Sequence, residues 1–85
     1  MEQAGLAHAL LFVRIAARPC DLALRWLASL PGVLSVMSLV GEIDAVVSVT
    51  LPGMAELSAL NDQLAVSDLI AGHESRIVLR HYSAA

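Results

Sequence analysis

The chain has 85 residues, of which 58% are apolar, 15% charged and only 4% aromatic. That length holds one domain and leaves no room for a cofactor fold beside a substrate fold. The formal net charge is −3, and the five basic residues are all arginines scattered along the chain (Arg14, Arg18, Arg25, Arg76, Arg80), which excludes the basic patch that a nucleic-acid surface needs.

Residues 9–16, Ala-Leu-Leu-Phe-Val-Arg-Ile-Ala, are rich in branched and aromatic side chains and read as a first strand, stopped by Arg18-Pro19. From Asp21 the period changes. Ala23, Trp26, Leu27 and Leu30 fall on one stripe of an amphipathic helix that Pro31-Gly32 ends. Val33–Val40 is a second strand, Gly41-Glu42 a tight turn, and Asp44–Thr50 a third strand forming a hairpin with the second. After Pro52-Gly53 a second helix runs from Met54 to about Ser67, with Met54, Leu57, Leu60 and Leu64 on one face. Ile70–His73 reads as a connector or irregular strand start, Ser75–Tyr82 as the fourth strand, and Ser83-Ala84-Ala85 as a frayed tail.

The order strand–helix–strand–strand–helix–strand predicts a ferredoxin-like α+β fold: a four-stranded antiparallel sheet with both helices on one face. The other face is then bare, yet the strands do not alternate apolar with polar as a half-exposed sheet should. In the first strand Ala9, Leu11, Val13 and Ile15 point one way, while Leu10, Phe12 and Ala16 point the other with Arg14 alone polar among them. In the second, Val33, Met37 and Leu39 share one face and Leu34, Val36 and Val40 the opposite one. Both faces call for burial. A mean hydropathy of +0.73 is high for so small a domain, whose own core is marginal.

A membrane does not account for it. A spanning helix needs about 18 consecutive apolar residues, and the most apolar stretch, Leu30–Ala55, is broken by Pro31, Glu42, Asp44 and Pro52. The N-terminus has neither the positive start nor the apolar length of a signal peptide. The expectation is a cytoplasmic chain dimerising through its sheet. The arginine, alanine, leucine and valine content with no lysine suggests a bacterial source of high GC content. A single cysteine, Cys20, excludes a disulfide framework and a multi-cysteine metal site.

Three segments carry a resemblance: Leu30-Pro31-Gly32-Val33, then Leu39 to Val49 with Gly41-Glu42-Ile43-Asp44 at the hairpin tip, then Ser75 to Arg80. Together, from about Gly5 to Tyr82, they resemble the effector-binding (RAM) domain of Lrp/AsnC-type transcription regulators. The resemblance implies a ferredoxin-like domain that dimerises through its sheets, often assembles further to octamers, and binds a small effector, typically an amino acid, between dimers near the hairpin loop. The implied effector-binding residues are Gly41, Glu42, Ile43, Asp44 and Ser75, with no cofactor and no metal. Ile43 stands where the family usually has an aromatic residue, and Ser75 where it usually has threonine. DNA would be reached only through a separate helix-turn-helix domain, which these residues do not contain. The chain then reads as a stand-alone effector domain or as the C-terminal part of a regulator, with Gly5-Leu6 resembling the point where a linker enters.

Each candidate also has a plainer role. Gly41 suits a turn needing positive φ. Asp44 suits either a ligand ammonium or the amides of its own turn. Glu42 suits a solvated loop tip, and Ser75 either a ligand carboxylate or a strand-edge hydroxyl. The spacing of His73 and His81 is not a strong metal signature. Two other classes stay open: a cofactorless monooxygenase of the dimeric α/β-barrel type, for which Trp26, His8 and His81 are the candidates, and a purely structural oligomerisation module.

Overall fold

The computed structural model describes residues 6–84; Gly5 and Ala85, which belong to the expected linker point and tail, lie outside them. Its elements are β1 (Ala7–Ile15), α1 (Asp21–Ala28), β2 (Val33–Ser38), β3 (Ala45–Leu51), α2 (Met54–Val66) and β4 (Ile70–Ile77). The four strands make one antiparallel sheet in the order β2-β3-β1-β4. This is the ferredoxin-like βαββαβ arrangement. Among the described residues no helix is long and apolar enough to cross a membrane.

The core forms where the two helices meet the sheet. Ala9, Leu11, Val13 and Ile15 of β1 and Val47, Val49 and Leu51 of β3 pack against Ala23, Leu27 and Leu30 from the first helical stripe and Leu57, Leu60 and Leu64 of α2. The predicted stripes hold, with one exception. Met54, in the first turn of α2, is exposed. No polar or charged side chain is buried among the described residues, so the interior is held by apolar area, about 25 cal/mol per Å² removed from water.

Local chemistry sets the joints. Ser29 Oγ donates to the Trp26 carbonyl at 2.6 Å as α1 ends. Leu30-Pro31-Gly32-Val33 then closes a turn, with Val33 N–H donating to the Leu30 carbonyl at 3.2 Å. Proline at its second position presets φ, and Gly32 at the third takes φ +85°, the combination of a type II turn.

Three predicted features are corrected. First, the second strand is not regular. Val33 pairs with Val49 but Ser35 with Ser48, so Leu34 is an extra residue in a β-bulge. The bulge resets the alternation, and Val33 and Val36, expected on opposite faces, both pack against the core. Second, that strand ends at Ser38 rather than Val40. Leu39 N–H donates to the Asp44 carbonyl at 2.8 Å, so the connection is the four-residue loop 40–43, with Val40 fully exposed. Third, the fourth strand spans Ile70–Ile77, not Ser75–Tyr82. Its partner sets its place: β1 offers pairing only from Ala7 to Ile15, and Ile70 lies opposite Ile15 while Ile77 lies opposite Ala9. Ile70–His73, expected as a connector or an irregular strand start, is strand, with a register shift between its Ile70 and Gly72 pairings. The other strands shift by one or two residues at their ends, β1 starting at Ala7 and β3 ending at Leu51.

The uncovered face carries Leu10 and Phe12 of β1, Val46 and Ser48 of β3 and Met37 of β2, by their cross-strand pairing. His8 and Ser48 are also hydrogen-bonded there, at 3.0 Å. On the β4 side the same face turns polar, with Glu74 opposite Phe12 and Arg76 opposite Leu10.

Candidate functional site

The hairpin tip stands beside the C-terminal end of β1, and the two are bound together through Asp44. Its amide donates to the Val13 carbonyl at 2.9 Å. Its carboxylate accepts from the Ile15 amide at 2.7 Å and from the Arg18 guanidinium at 2.8 Å. Arg18 in turn donates to Cys20 Sγ at 2.9 Å. Of the two roles expected for Asp44, bonding the amides of its own turn does not match this geometry. The side chain reaches across to a neighbouring strand rather than to the amides of its own turn. Both carboxylate oxygens are engaged within the chain.

Gly41 has φ +131°, a conformation that side chains rarely adopt. A Cβ there would meet nothing within 4 Å, so the glycine serves the bend and is not a point of close approach within the chain. Ser75 faces α2, where its hydroxyl donates to Asn61 Oδ1 at 2.6 Å. It fastens the edge strand to a helix.

Glu42 and Ile43 line a cavity of about 230 Å³ with Phe12, Arg14, His73 and Glu74. The structure thus brings two of the five expected residues to one cavity. Gly41 and Asp44 shape the loop beside it, and Ser75 is not among its lining residues. Carboxylates and a guanidinium face a space bounded by an aromatic ring and an isoleucine. Glu74 also pairs with Arg76 at 3.1 Å, an exposed contact of small energetic weight. Arg14 lies across Gly72, its partner on β4, where a Cβ would collide with the Arg14 Nη2. The absent side chain makes room for the guanidinium.

Sequence reading missed Phe12, Arg14, His73 and Glu74 as site residues. One signal was present: within residues 9–16, Arg14 is the only polar side chain of the outward-pointing set. Two larger clefts, of about 390 Å³ beside Leu51 and α2 and about 380 Å³ beside α1, include none of the expected residues. The first is nearly all apolar. The second contains Arg18, whose guanidinium is held by Asp44. Trp26, His8 and His81 do not converge: Trp26 packs on the core from α1, His8 lies on the bare sheet face bonded to Ser48, and His81 is exposed beyond β4. Among the described residues no group of three or more His, Cys, Asp or Glu side chains is placed to hold a metal ion.

The sequence model of the Lrp/AsnC ligand binding domain matches residues 8–85. Solved structures with the same fold include a protein from Thermus thermophilus, 24% identical with a TM-score of 0.80, the match covering 92% of this chain and 99% of that one. A transcriptional regulator from Neisseria meningitidis, solved as a complex with L-Met, is 23% identical with a TM-score of 0.79, over 92% of this chain and 53% of that one. AsnC from E. coli is 20% identical with a TM-score of 0.79, over 93% and 54%. The chain therefore spans nearly the whole of the Thermus protein and about half the length of the two regulators. No curated protein sequence matches it.

Proposed function

The chain belongs to the Lrp/AsnC ligand-binding domain family, and we propose that it is a non-enzymatic effector-binding and assembly domain whose effector is an amino acid. The observation that carries this reading is the cavity at the hairpin tip. Arg14 offers a guanidinium for an α-carboxylate, Glu42 and Glu74 offer carboxylates for an α-ammonium, and Phe12 and Ile43 provide an apolar wall. The meningococcal regulator's complex with L-Met is consistent with such a ligand. Gly41 and Asp44 set the loop that presents Glu42 and Ile43, and Ser75 steadies the strand carrying His73 and Glu74.

The bare sheet face supports dimerisation. Leu10, Phe12, Val46 and Met37 form an apolar field on a domain whose helices cover only the opposite face. An ordinary stable interface buries about 800 Å² per partner. An effector seated at the hairpin changes assembly only by its differential affinity for the assembled states. In this reading the domain works in a bacterial cytoplasm and acts on DNA through a helix-turn-helix domain, on the same chain or a separate one.

The test is a panel of the amino acids at millimolar concentration, read by melting temperature and by light scattering. At least one member should raise the melting temperature by several degrees, as ligand present at roughly 100 times its Kd contributes about 2.7 kcal/mol. A panel with no effect on either readout rejects the effector reading. Gly72→Ala then locates the site. The new methyl pushes Arg14 off β4, and because a flexible side-chain end yields easily, stability should change by less than about 0.5 kcal/mol. Losing one charge-assisted hydrogen bond of ~1.5 kcal/mol weakens effector binding about tenfold. Unchanged affinity in titration calorimetry places the effector elsewhere.

A further inference from the structure

The cavity at the hairpin tip holds an uneven set of charges. Glu42, Glu74 and Arg14 all line it. His73 adds no charge to that space. It pairs with Val13, a core residue, and alternates with Ser75, which is bonded to Asn61 of α2, so its imidazole turns to the helix side of the sheet. Two carboxylates therefore stand against one guanidinium.

A neutral amino acid uses this set incompletely. Its α-carboxylate takes Arg14 and its α-ammonium takes one glutamate. The second glutamate is left beside the ligand, where shielding from water makes an unpaired charge costly. Little within the chain balances it. Among the described residues the two ion pairs are Arg18–Asp44 and Arg76–Glu74, and neither includes Glu42 or Arg14. Arg76 is not among the lining residues, and its pair with Glu74 leaves both side chains open, at 62% and 64% exposed. Such a pair is weak and yields to a better-placed cation.

We propose that the effector is a basic amino acid, carrying a second cation at the end of an aliphatic stem, as in lysine. This rests on the effector reading above and narrows its class. Arg14 holds the α-carboxylate, one glutamate holds the α-ammonium and the other holds the side-chain cation. Between the two ends the stem lies along Phe12 and Ile43, apolar contacts that leave its charged head free to reach a carboxylate. The ring face of Phe12 also attracts a cation. At about 230 Å³ the cavity is smaller than the roughly 300–1,000 Å³ of a pocket for drug-sized ligands, which suits a single amino acid. An acidic amino acid would bring a further carboxylate to the two already present, and like charges at close range repel.

Titration calorimetry with L-lysine, L-norleucine and L-glutamate tests the class. Norleucine keeps the carbon stem of lysine and lacks its cation. The wild type should bind lysine roughly tenfold more tightly than norleucine, the effect of one charge-assisted hydrogen bond, and should not bind glutamate measurably. Glu42→Gln and Glu74→Gln alter exposed side chains and should leave the melting temperature nearly unchanged. One of the two should weaken lysine about tenfold and norleucine hardly at all, closing the gap between the ligands. The other should weaken both. Norleucine bound as tightly as lysine, or a gap that survives in both variants, overturns the basic class and leaves the effector reading standing. Should no amino acid of the panel bind, the effector reading itself fails, and the class falls with it.

Discussion

Replacing Asp44 with alanine should destabilise the domain by about 2–3 kcal/mol, most of it from the Ile15 amide. That N–H sits at the end of a strand whose side chain is buried, and its partner is the Asp44 carboxylate at 2.7 Å. Truncation leaves the donor unsatisfied, at a cost of about 1–3 kcal/mol. The Arg18 ion pair adds little, because the arginine side chain is 63% exposed against 14% for the aspartate, and an exposed pair is worth about 0–1 kcal/mol. Two controls separate these contributions. Asp44→Asn keeps an oxygen for Ile15 and should cost less than about 1 kcal/mol, and Arg18→Ala should stay within about 0.5 kcal/mol. At about 4–8 °C per kcal/mol for a domain of this size, Asp44→Ala should lower the melting temperature by roughly 10–20 °C, measured at fixed protein concentration because assembly shifts apparent stability. Equal effects for Asp44→Ala and Arg18→Ala would show that the ion pair, not the strand amide, carries the stabilisation.

Gly32→Ala should be at least as damaging. The residue holds φ +85°, where an L side chain costs about 1–2 kcal/mol, and its Cβ would lie 2.6 Å from Leu51 Cδ2 and 2.7 Å from the Thr50 carbonyl oxygen. The leucine tip can move. The carbonyl belongs to β3, whose Thr50 amide is bonded back to the Gly32 oxygen at 2.8 Å, so moving it disturbs the β2–β3 joint. With about 1–3 kcal/mol for the overpacking, the sum is about 3 kcal/mol. Gly41→Ala isolates the first contribution: its φ is +131° with no atom within 4 Å of the added Cβ. It should lose about 1–2 kcal/mol. Urea unfolding of the two variants side by side checks the difference, and a Gly32→Ala protein no less stable than Gly41→Ala would refute the steric argument.

These two sites mark what sequence carries and what it withholds. Pro31-Gly32 and Pro52-Gly53 punctuate the chain plainly, and the helical leucines repeat at the right spacing, so element order, both helices and the inner face of β1 were legible. The bulge at Leu34 was not, since no glycine or proline marks it and only pairing with β3 reveals it. The early start of β4 was hidden by composition: Ala71-Gly72-His73-Glu74 looks like a loop, and becomes a strand because β1 needs an edge partner there. The candidate site was half legible. Gly41 to Asp44 form a local motif, whereas Arg14 and Gly72 meet from opposite ends of the chain, and the bond from Asp44 to Ile15 spans 29 residues. Contacts of that separation leave no trace in local spacing.

The extra residue at Leu34 has a consequence for how chain length can vary. With Leu34 present, Val33 and Val36 face inward across two intervening positions. Without it, Val33, Ser35 and Val36 would alternate in a regular strand with both valines still inward. A chain one residue shorter at this point keeps its core and its hairpin, and loses only the kink in β2. In the regular stretches of the strands a single deletion would turn every following side chain to the wrong face. The first half of β2 is therefore a place where a relative can be one residue shorter at little cost, as is Ala71 of β4, the extra residue between the Arg14–Gly72 and Ile15–Ile70 pairs.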